Sequence, residues 1–132
     1  MLDKNYLYTP GPTPVPPQVA AAMSRPIIGH RSQEFADLHG QIVEKAKIVF
    51  QTANDLYVLT TSGTGGMETA IANTVAPGDR VLALVTGNFG ERFAKIAGAY
   101  GADVTRLDFK WGTALDMNQV DEVWKKEGPF KL

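Results

Sequence analysis

One stretch of the sequence decides the fold: Leu56-Tyr57-Val58-Leu59-Thr60-Thr61-Ser62-Gly63-Thr64-Gly65-Gly66. Its first part, residues 56–60, is apolar without alternation, which is typical of a strand buried on both faces of a parallel sheet. A glycine-rich turn follows, and residues 67–75 have the pattern of a helix that ends before Ala76-Pro77-Gly78-Asp79. A strand that leads through such a turn into a helix predicts the beginning of an open α/β sheet.

The same cycle then repeats along the chain. Residues 80–85 predict a second strand, residues 89–100 a helix closed by Gly101, and residues 103–109 a third strand. This alternation favours parallel strands joined by right-handed crossovers.

Two further helices flank this region. One begins after Ser32 and carries an apolar face, which we expect to cover a flat partner. The other begins after Asp116, which forms a capping box with Gln119, and it ends at Gly128-Pro129. Residues 130–132 then predict the start of another strand. The apolar face of the first helix consists of Phe35, Leu38, Ile42, Ala46, Val49 and Phe50.

Composition excludes several classes of function. The chain has 132 residues, 44% of them hydrophobic, with 13 Lys and Arg against 14 Asp and Glu, which is typical of one soluble globular domain without an excess of basic charge for nucleic acid. No apolar run is long enough to cross a bilayer, and the start lacks the apolar core of a secretion signal, so we expect a cytoplasmic protein. There is no cysteine, and the two histidines, His30 and His39, have no nearby ligand pattern, so no metal site is expected.

A proline-rich arm precedes these elements. Five of the eight prolines lie within residues 10–17, and this density favours extended backbone over residues 1–18. The arm is either a surface linker or a segment that lines a site or contacts a partner, and the residues alone leave both open. Residues 19–132 are then the remaining, larger domain.

The glycine-rich turn predicts a phosphate site. Its glycines allow close approach of the backbone, Ser62 and Thr64 add hydroxyl groups, and the following helix offers unpaired N–H donors. A tight turn that binds nothing is the alternative. A Walker A loop is excluded because Met67-Glu68 follows Gly66, and a dinucleotide site is disfavoured because Thr86-Gly87-Asn88 stands where a ribose-binding acid is needed.

Phe89 follows the second predicted strand, next to glycines on either side of its helix start. Its ring either stacks on a flat heteroaromatic cofactor or serves as a packing anchor.

Five motifs occur in one order: Thr9-Pro10-Gly11-Pro12-Thr13, Ile28-Gly29-His30-Arg31-Ser32, Ser62-Gly63-Thr64-Gly65, Ala76-Pro77-Gly78-Asp79 and Gly87-Asn88-Phe89-Gly90-Glu91-Arg92. In this order the chain resembles the class V aminotransferases, which are fold type I pyridoxal-phosphate enzymes. The most similar branch comprises alanine–glyoxylate, serine–glyoxylate and serine–pyruvate aminotransferases, with relatives named soluble hydrogenase small subunit. The resemblance implies the N-terminal portion of a three-layer, mostly parallel-sheet large domain.

The resemblance also implies roles for individual residues. Thr64, Gly65 and Gly66 match the loop that holds the phosphate of pyridoxal 5'-phosphate, and Phe89 matches the aromatic residue that stacks on its ring. The family often has Trp in place of Phe89, and it can have His in place of Gly66, which predicts a weaker grip on the cofactor.

The resemblance further implies what borders the substrate. Gly11 and Pro12 match the arm beside the substrate carboxylate, whereas no role is assigned to His30 and Arg31. Small amino acids and 2-oxo acids are the implied substrates, and the complete protein is expected to be a homodimer.

The resemblance places the catalytic lysine, the aspartate at the pyridine nitrogen and the arginine for the substrate carboxylate after Leu132. We therefore expect an N-terminal fragment with half a cofactor site, no catalytic residue and no activity. Since the family sheet places its first strand far from the next two, residues 56–60 should lack a neighbour, and the isolated chain should be oligomeric, rearranged or partly ordered. The alternatives are a non-catalytic module that binds a phosphorylated ligand or a partner, and a Rossmann-like enzyme, which the missing ribose carboxylate disfavours.

Overall fold

The computed structural model describes residues 7–132, which form two compact units divided between residues 58 and 59. No helix of the described residues is both long and apolar enough to cross a membrane. The elements in chain order are α1 (Pro17–Met23), α2 (Gln33–Phe50), α3 (Gly63–Thr74), β1 (Arg80–Val85), α4 (Asn88–Ala99), β2 (Asp103–Asp108) and α5 (Met117–Glu127).

The first unit contains α1 and α2. The proline-rich segment ends in α1, where Pro17 occupies the first helical position and needs no N–H partner. The helix predicted after Ser32 is confirmed as α2: the Ser32 hydroxyl accepts a hydrogen bond from the Phe35 N–H at 3.2 Å, and Gln51 ends the helix in a left-handed conformation with φ 51°. The boundary expected after residue 18 falls inside α1, and that division of domains stays a prediction.

The second unit is built on a parallel pair of strands. β1 and β2 run side by side in continuous register from the pair Arg80 and Asp103 to the pair Val85 and Asp108. Helices α3 and α4 pack against each other, and α4 lies against both strands. The core consists of Ile71, Val75, Val81 and Ala97, with Ile96, Ala102 and Val104 packed around them.

The end of the chain extends this sheet. The Lys131 N–H donates to the Arg80 carbonyl at 2.7 Å, and the Leu82 N–H donates to the Leu132 carbonyl at 2.9 Å. These groups of β1 are not used by β2, so residues 130–132 lie along the opposite edge of β1 and run in the same direction. Phe130 is buried there, with its ring centroid 5.5 Å from that of Trp124 and 5.0 Å from the Arg80 guanidinium carbon. The predicted start of another strand therefore has strand-like pairing.

The strand predicted over residues 56–60 is wrong as a local assignment. The segment has no ladder partner among the described residues, and Tyr57, Val58 and Leu59 are exposed. The physical reason is that a strand exists only through hydrogen bonds to a neighbour, whatever its apolar pattern. This outcome agrees with the expectation that the segment lacks its neighbour. Strand-helix-strand order is confirmed from α3 onward.

The predicted capping box of α5 differs in detail. The Asp116 carboxylate accepts the Asn118 N–H at 3.0 Å, as an N-cap does. The Gln119 amide, however, donates to the Asp116 carboxylate at 3.2 Å rather than accepting from its backbone. This arrangement is favoured because a hydrogen bond to a charged carboxylate is stronger than one between two neutral amide groups.

Candidate functional site

The glycine-rich turn forms the first turn of α3. The helix begins at Gly63 rather than at Met67, and Ser62 precedes it in extended conformation without a side-chain cap. The Gly66 N–H donates to the Ser62 carbonyl at 3.2 Å, whereas the N–H groups of Gly63, Thr64 and Gly65 have no acceptor among the described residues. Three adjacent donors at the positive end of a helix form a surface suited to an anion.

The glycines in this turn have different physical roles. A Cβ at Gly65 would collide with the Thr61 hydroxyl oxygen, so the turn can close over Thr61 only without a side chain at this position. At Gly66 nothing lies within 4 Å of a Cβ, so the space beside it is open. Because the Gly66 N–H is already paired, Gly66 can contribute room for a ligand but no backbone donor.

The second predicted site residue lies at the start of α4. Phe89 is 60% exposed, so its ring has accessible surface. Gly90 allows the start of α4 to approach β1 this closely, because a Cβ at Gly90 would lie 2.9 Å from the Leu84 carbonyl oxygen and 3.2 Å from the Val85 Cα. The beginning of α4 therefore sits directly on the carboxyl end of β1, the usual place for ligand sites in open α/β sheets.

Arg92 joins the two predicted parts of the site. Its Nη1 donates to the Thr64 Oγ1 at 2.7 Å in a partly buried contact, and its guanidinium carbon lies 5.5 Å from the centroid of the Phe89 ring. Arg92 belongs to one of the five sequence motifs, but no role follows for it from the motif. A signal was available, because residues three apart on a helix lie on the same face. That spacing placed Arg92 beside Phe89, but nothing in the sequence indicated Thr64.

The charges around Arg92 leave it without a carboxylate partner among the described residues. The neighbouring cation, Lys95, instead pairs with Glu91 at 2.7 Å. The hydrogen bond and the positive charge of Lys95 lower the pKa of the Glu91 carboxyl, so Glu91 is ionised at neutral pH. Glu91 thus pairs with Lys95, and no carboxylate of the described residues competes with the Thr64 hydroxyl for the Arg92 guanidinium.

The other predicted residues lie in the first unit. The Thr9 hydroxyl donates to the Pro12 carbonyl at 2.7 Å and closes a turn that contains Gly11 and ends at Pro12, both of which are exposed. His30 and Arg31 are also exposed. The structure brings Thr64 and Phe89 together through Arg92, and the proposed roles of Gly11 and Pro12 stay predictions.

Comparison with known proteins identifies similar sequences over most of the chain. An uncharacterized aminotransferase of Methanocaldococcus jannaschii is 47% identical over 97% of this chain and 33% of its own length. The soluble hydrogenase small subunit of a Synechococcus species is 40% identical over 88% of this chain and 30% of its own. The serine–glyoxylate aminotransferase of Methylorubrum extorquens is 35% identical over 94% and 31%, respectively. No protein-family model matches the chain.

Solved structures of aminotransferases are similar to this chain as well. The ureidoglycine–glyoxylate aminotransferase of Bacillus subtilis has a TM-score of 0.83 at 34% identity, covering 90% of this chain and 31% of that one. The alanine–glyoxylate aminotransferase of a Nostoc species has a TM-score of 0.82 at 37% identity, covering 89% and 31%. The chain thus spans about a third of the length of the relatives it matches. These comparisons confirm the resemblance to the glyoxylate aminotransferases and to the soluble hydrogenase subunit, and they confirm the fold class.

Proposed function

We propose that this chain supplies the phosphate-binding and ring-stacking part of a pyridoxal-phosphate-dependent aminotransferase. One observation carries the proposal: N–H donors without an acceptor among the described residues lie near an exposed aromatic ring. The first turn of α3 presents three such N–H groups, and Arg92 contacts both that turn and the ring of Phe89. A phosphate monoester on a flat heteroaromatic ring needs both features.

The residues present fit this cofactor. The N–H groups of Gly63, Thr64 and Gly65 would hold the phosphate, Gly66 would leave room for it, and Phe89 would stack on the pyridine ring. When bound, pyridoxal phosphate supplies an electron sink for negative charge at the substrate Cα. The chain's own contribution is to bind the phosphate at the start of a helix and to hold the ring.

The proposal extends to the substrate and to the assembly. Alanine or serine as amino donor and glyoxylate or pyruvate as acceptor are the substrates we propose, since relatives named for serine and alanine with glyoxylate match the chain. Gly11 and Pro12 would border the substrate carboxylate. A cytoplasmic homodimer is our prediction for the complete protein.

We further propose that this chain alone does not catalyse transamination. Transamination needs an amine that bonds to the cofactor and a base that moves the proton at Cα. None of the eight lysines of the sequence stands in the lysine motif of the resembled family. Mixed with pyridoxal phosphate and alanine, the chain should form no pyruvate. Stoichiometric borohydride trapping of the cofactor at one lysine, found by peptide mass spectrometry, would contradict this.

Binding of the cofactor to this chain should be weak. Each hydrogen bond to the charged phosphate contributes about 1.5–3 kcal/mol and the stacking about 0.5–1.5 kcal/mol, against an association cost of about 4–15 kcal/mol. For three N–H donors and one stacked ring, we expect a net binding free energy of about 4 kcal/mol, which corresponds to a dissociation constant of about 1 mM. Such affinities are measurable by NMR titration.

The experiment uses pyridoxine 5'-phosphate, which lacks the aldehyde and so does not react with surface lysines. We expect saturable amide shifts at residues 63–65 and ring shifts at Phe89, and little response to pyridoxine without its phosphate. Phe89→Leu should weaken binding several-fold, whereas Phe93→Leu, on the same helix, should not. Absence of shifts at residues 63–65 would refute the proposed function.

The same titration separates the alternative of a module that binds phosphorylated ligands without a ring. Such a module would bind inorganic phosphate as tightly as pyridoxine 5'-phosphate, and Phe89→Leu would have no effect. Tighter binding of the ring-bearing ligand, lost with Phe89, supports the aminotransferase proposal.

A further inference from the structure

Arg92 controls the direction of a hydrogen bond, and this inference rests on the proposed function. A guanidinium group carries only N–H donors and cannot accept a hydrogen bond. In the contact between the Arg92 Nη1 and the Thr64 Oγ1, at 2.7 Å, the hydroxyl oxygen must therefore be the acceptor. The hydroxyl proton of Thr64 is left to point elsewhere, and no described residue accepts it.

We propose that Arg92 is a positioning residue that makes the Thr64 hydroxyl a donor toward the ligand phosphate. A free hydroxyl can rotate and present either its proton or a lone pair, and only the proton attracts a phosphate oxygen. By occupying a lone pair, Arg92 favours the productive orientation before the ligand arrives. This pre-organisation reduces the ordering cost of binding.

The same side chain fixes the second part of the site. The Arg92 guanidinium lies over the Phe89 ring, with its carbon 5.5 Å from the ring centroid, while the ring keeps 60% of its surface exposed. A ring has two faces, so a cation on one face leaves the other for a flat ligand. Arg92 thus couples the orientation of the phosphate donor to that of the stacking surface.

The chain offers a matched control for the charge of Arg92. Lys95 lies three residues after Arg92 in α4, slightly less than one helical turn, and is largely exposed. Arg92→Met and Lys95→Met each remove one positive charge from α4 and insert the same side chain. A general effect of positive charge would weaken binding of the phosphate in both variants, whereas the proposed contact requires only Arg92. Because Lys95 pairs with Glu91, both methionine variants are made in a Glu91→Gln chain, so that Lys95→Met leaves no unpaired carboxylate beside Arg92.

The first measurement is binding of pyridoxine 5'-phosphate to the 132-residue chain. We expect Arg92→Met to weaken binding about tenfold, which is about the contribution of one hydrogen bond to a charged group. Lys95→Met should weaken binding less than about twofold. The ammonium group of Arg92→Lys can donate but not accept a hydrogen bond, as the guanidinium group does. This variant should therefore bind within about threefold of the original chain. Equal losses in the two methionine variants would overturn the inference.

The second measurement is a double-mutant cycle. If Arg92 acts through the Thr64 hydroxyl, Thr64→Val should remove most of what Arg92 contributes, so the double variant should bind only about tenfold to twentyfold more weakly than the original chain. Independent losses that multiply to about a hundredfold would overturn the inference, because Arg92 would then bind the ligand without Thr64.

The third measurement needs no ligand and separates the two proposals. In the free chain, Arg92→Met should shift the methyl signal of Thr64 and the ring signals of Phe89, and Lys95→Met should not. Unchanged signals would overturn the inference even if pyridoxine 5'-phosphate binds. Shifted signals in a chain that binds no pyridoxine 5'-phosphate would refute the proposed function instead, and the role assigned to Arg92 with it. Unchanged core signals of Val81 and Ala97 show that a variant is folded.

Discussion

Replacement of Gly90 by alanine tests how closely α4 sits on β1. The added Cβ would lie 2.9 Å from the Leu84 carbonyl oxygen and 3.2 Å from the Val85 Cα. Both are backbone atoms of a paired strand, so they cannot turn aside as a flexible side chain would. The start of α4 or the end of β1 must then shift by a few tenths of an ångström.

The size of the effect follows from two opposing contributions. Overpacking of this kind costs about 1–3 kcal/mol. Alanine recovers about 0.5–1 kcal/mol relative to glycine within a helix. Gly90→Ala should therefore lower the free energy of unfolding by about 1 kcal/mol, and by at most about 2.5 kcal/mol.

Gly98 provides the matched control. It lies in the same helix, and nothing is within 4 Å of its Cβ position, so Gly98→Ala retains the gain without the collision. We expect it to raise the free energy of unfolding by up to about 1 kcal/mol. Urea unfolding followed by circular dichroism gives both values. If Gly90→Ala were as stable as Gly98→Ala, the close packing of α4 on β1 would be wrong.

Three further predictions concern the core, a helix cap and one titration. Phe130→Ala should lower the free energy of unfolding by about 3 kcal/mol, since it empties a buried position, while Phe50→Ala at an exposed position should change it little; urea unfolding measures both. Ser32→Ala should cost about 1 kcal/mol through loss of the N-cap bond, with reduced helical circular dichroism, and an unchanged spectrum and stability would argue against that cap. The hydrogen bond from the Tyr100 hydroxyl to Glu68 at 2.9 Å raises the pKa of Tyr100, so its stabilisation is present below the ordinary pKa of 10.0 and is lost as the pH rises through the higher value in the folded chain. Glu68→Gln should lower the pKa of Tyr100 in a phenolate absorbance titration, and an unchanged pKa would contradict the contact.

Local signals predicted much of the second unit. The strands at residues 80–85 and 103–108 and the helix between them follow from periodicity and from the turns that bound them. Such features depend on neighbours along the chain, so they can be inferred without the tertiary structure. The exact start of α3 could not, because glycine weakens the helix signal over residues 63–66.

The site divides in the same way. Motif order indicated Thr64 and Phe89, since a phosphate turn and an aromatic residue after parallel strands have recognisable local patterns. The hydrogen bond between Arg92 and Thr64 joins residues 28 positions apart, and no local pattern encodes it. It depends on how α3 and α4 pack, which is set by the whole buried surface of the unit.

The sequence by itself therefore determined the order of elements from α3 onward, the glycine turn and the aromatic residue after β1, because backbone preference and hydrophobic period act over a few residues. The local pattern predicted a strand over residues 56–60, whereas the tertiary structure gives this segment no ladder partner among the described residues, and only the tertiary structure decided that Arg92 links the two helix starts. A strand and a long-range hydrogen bond both require a second segment at the right distance, and packing alone supplies it.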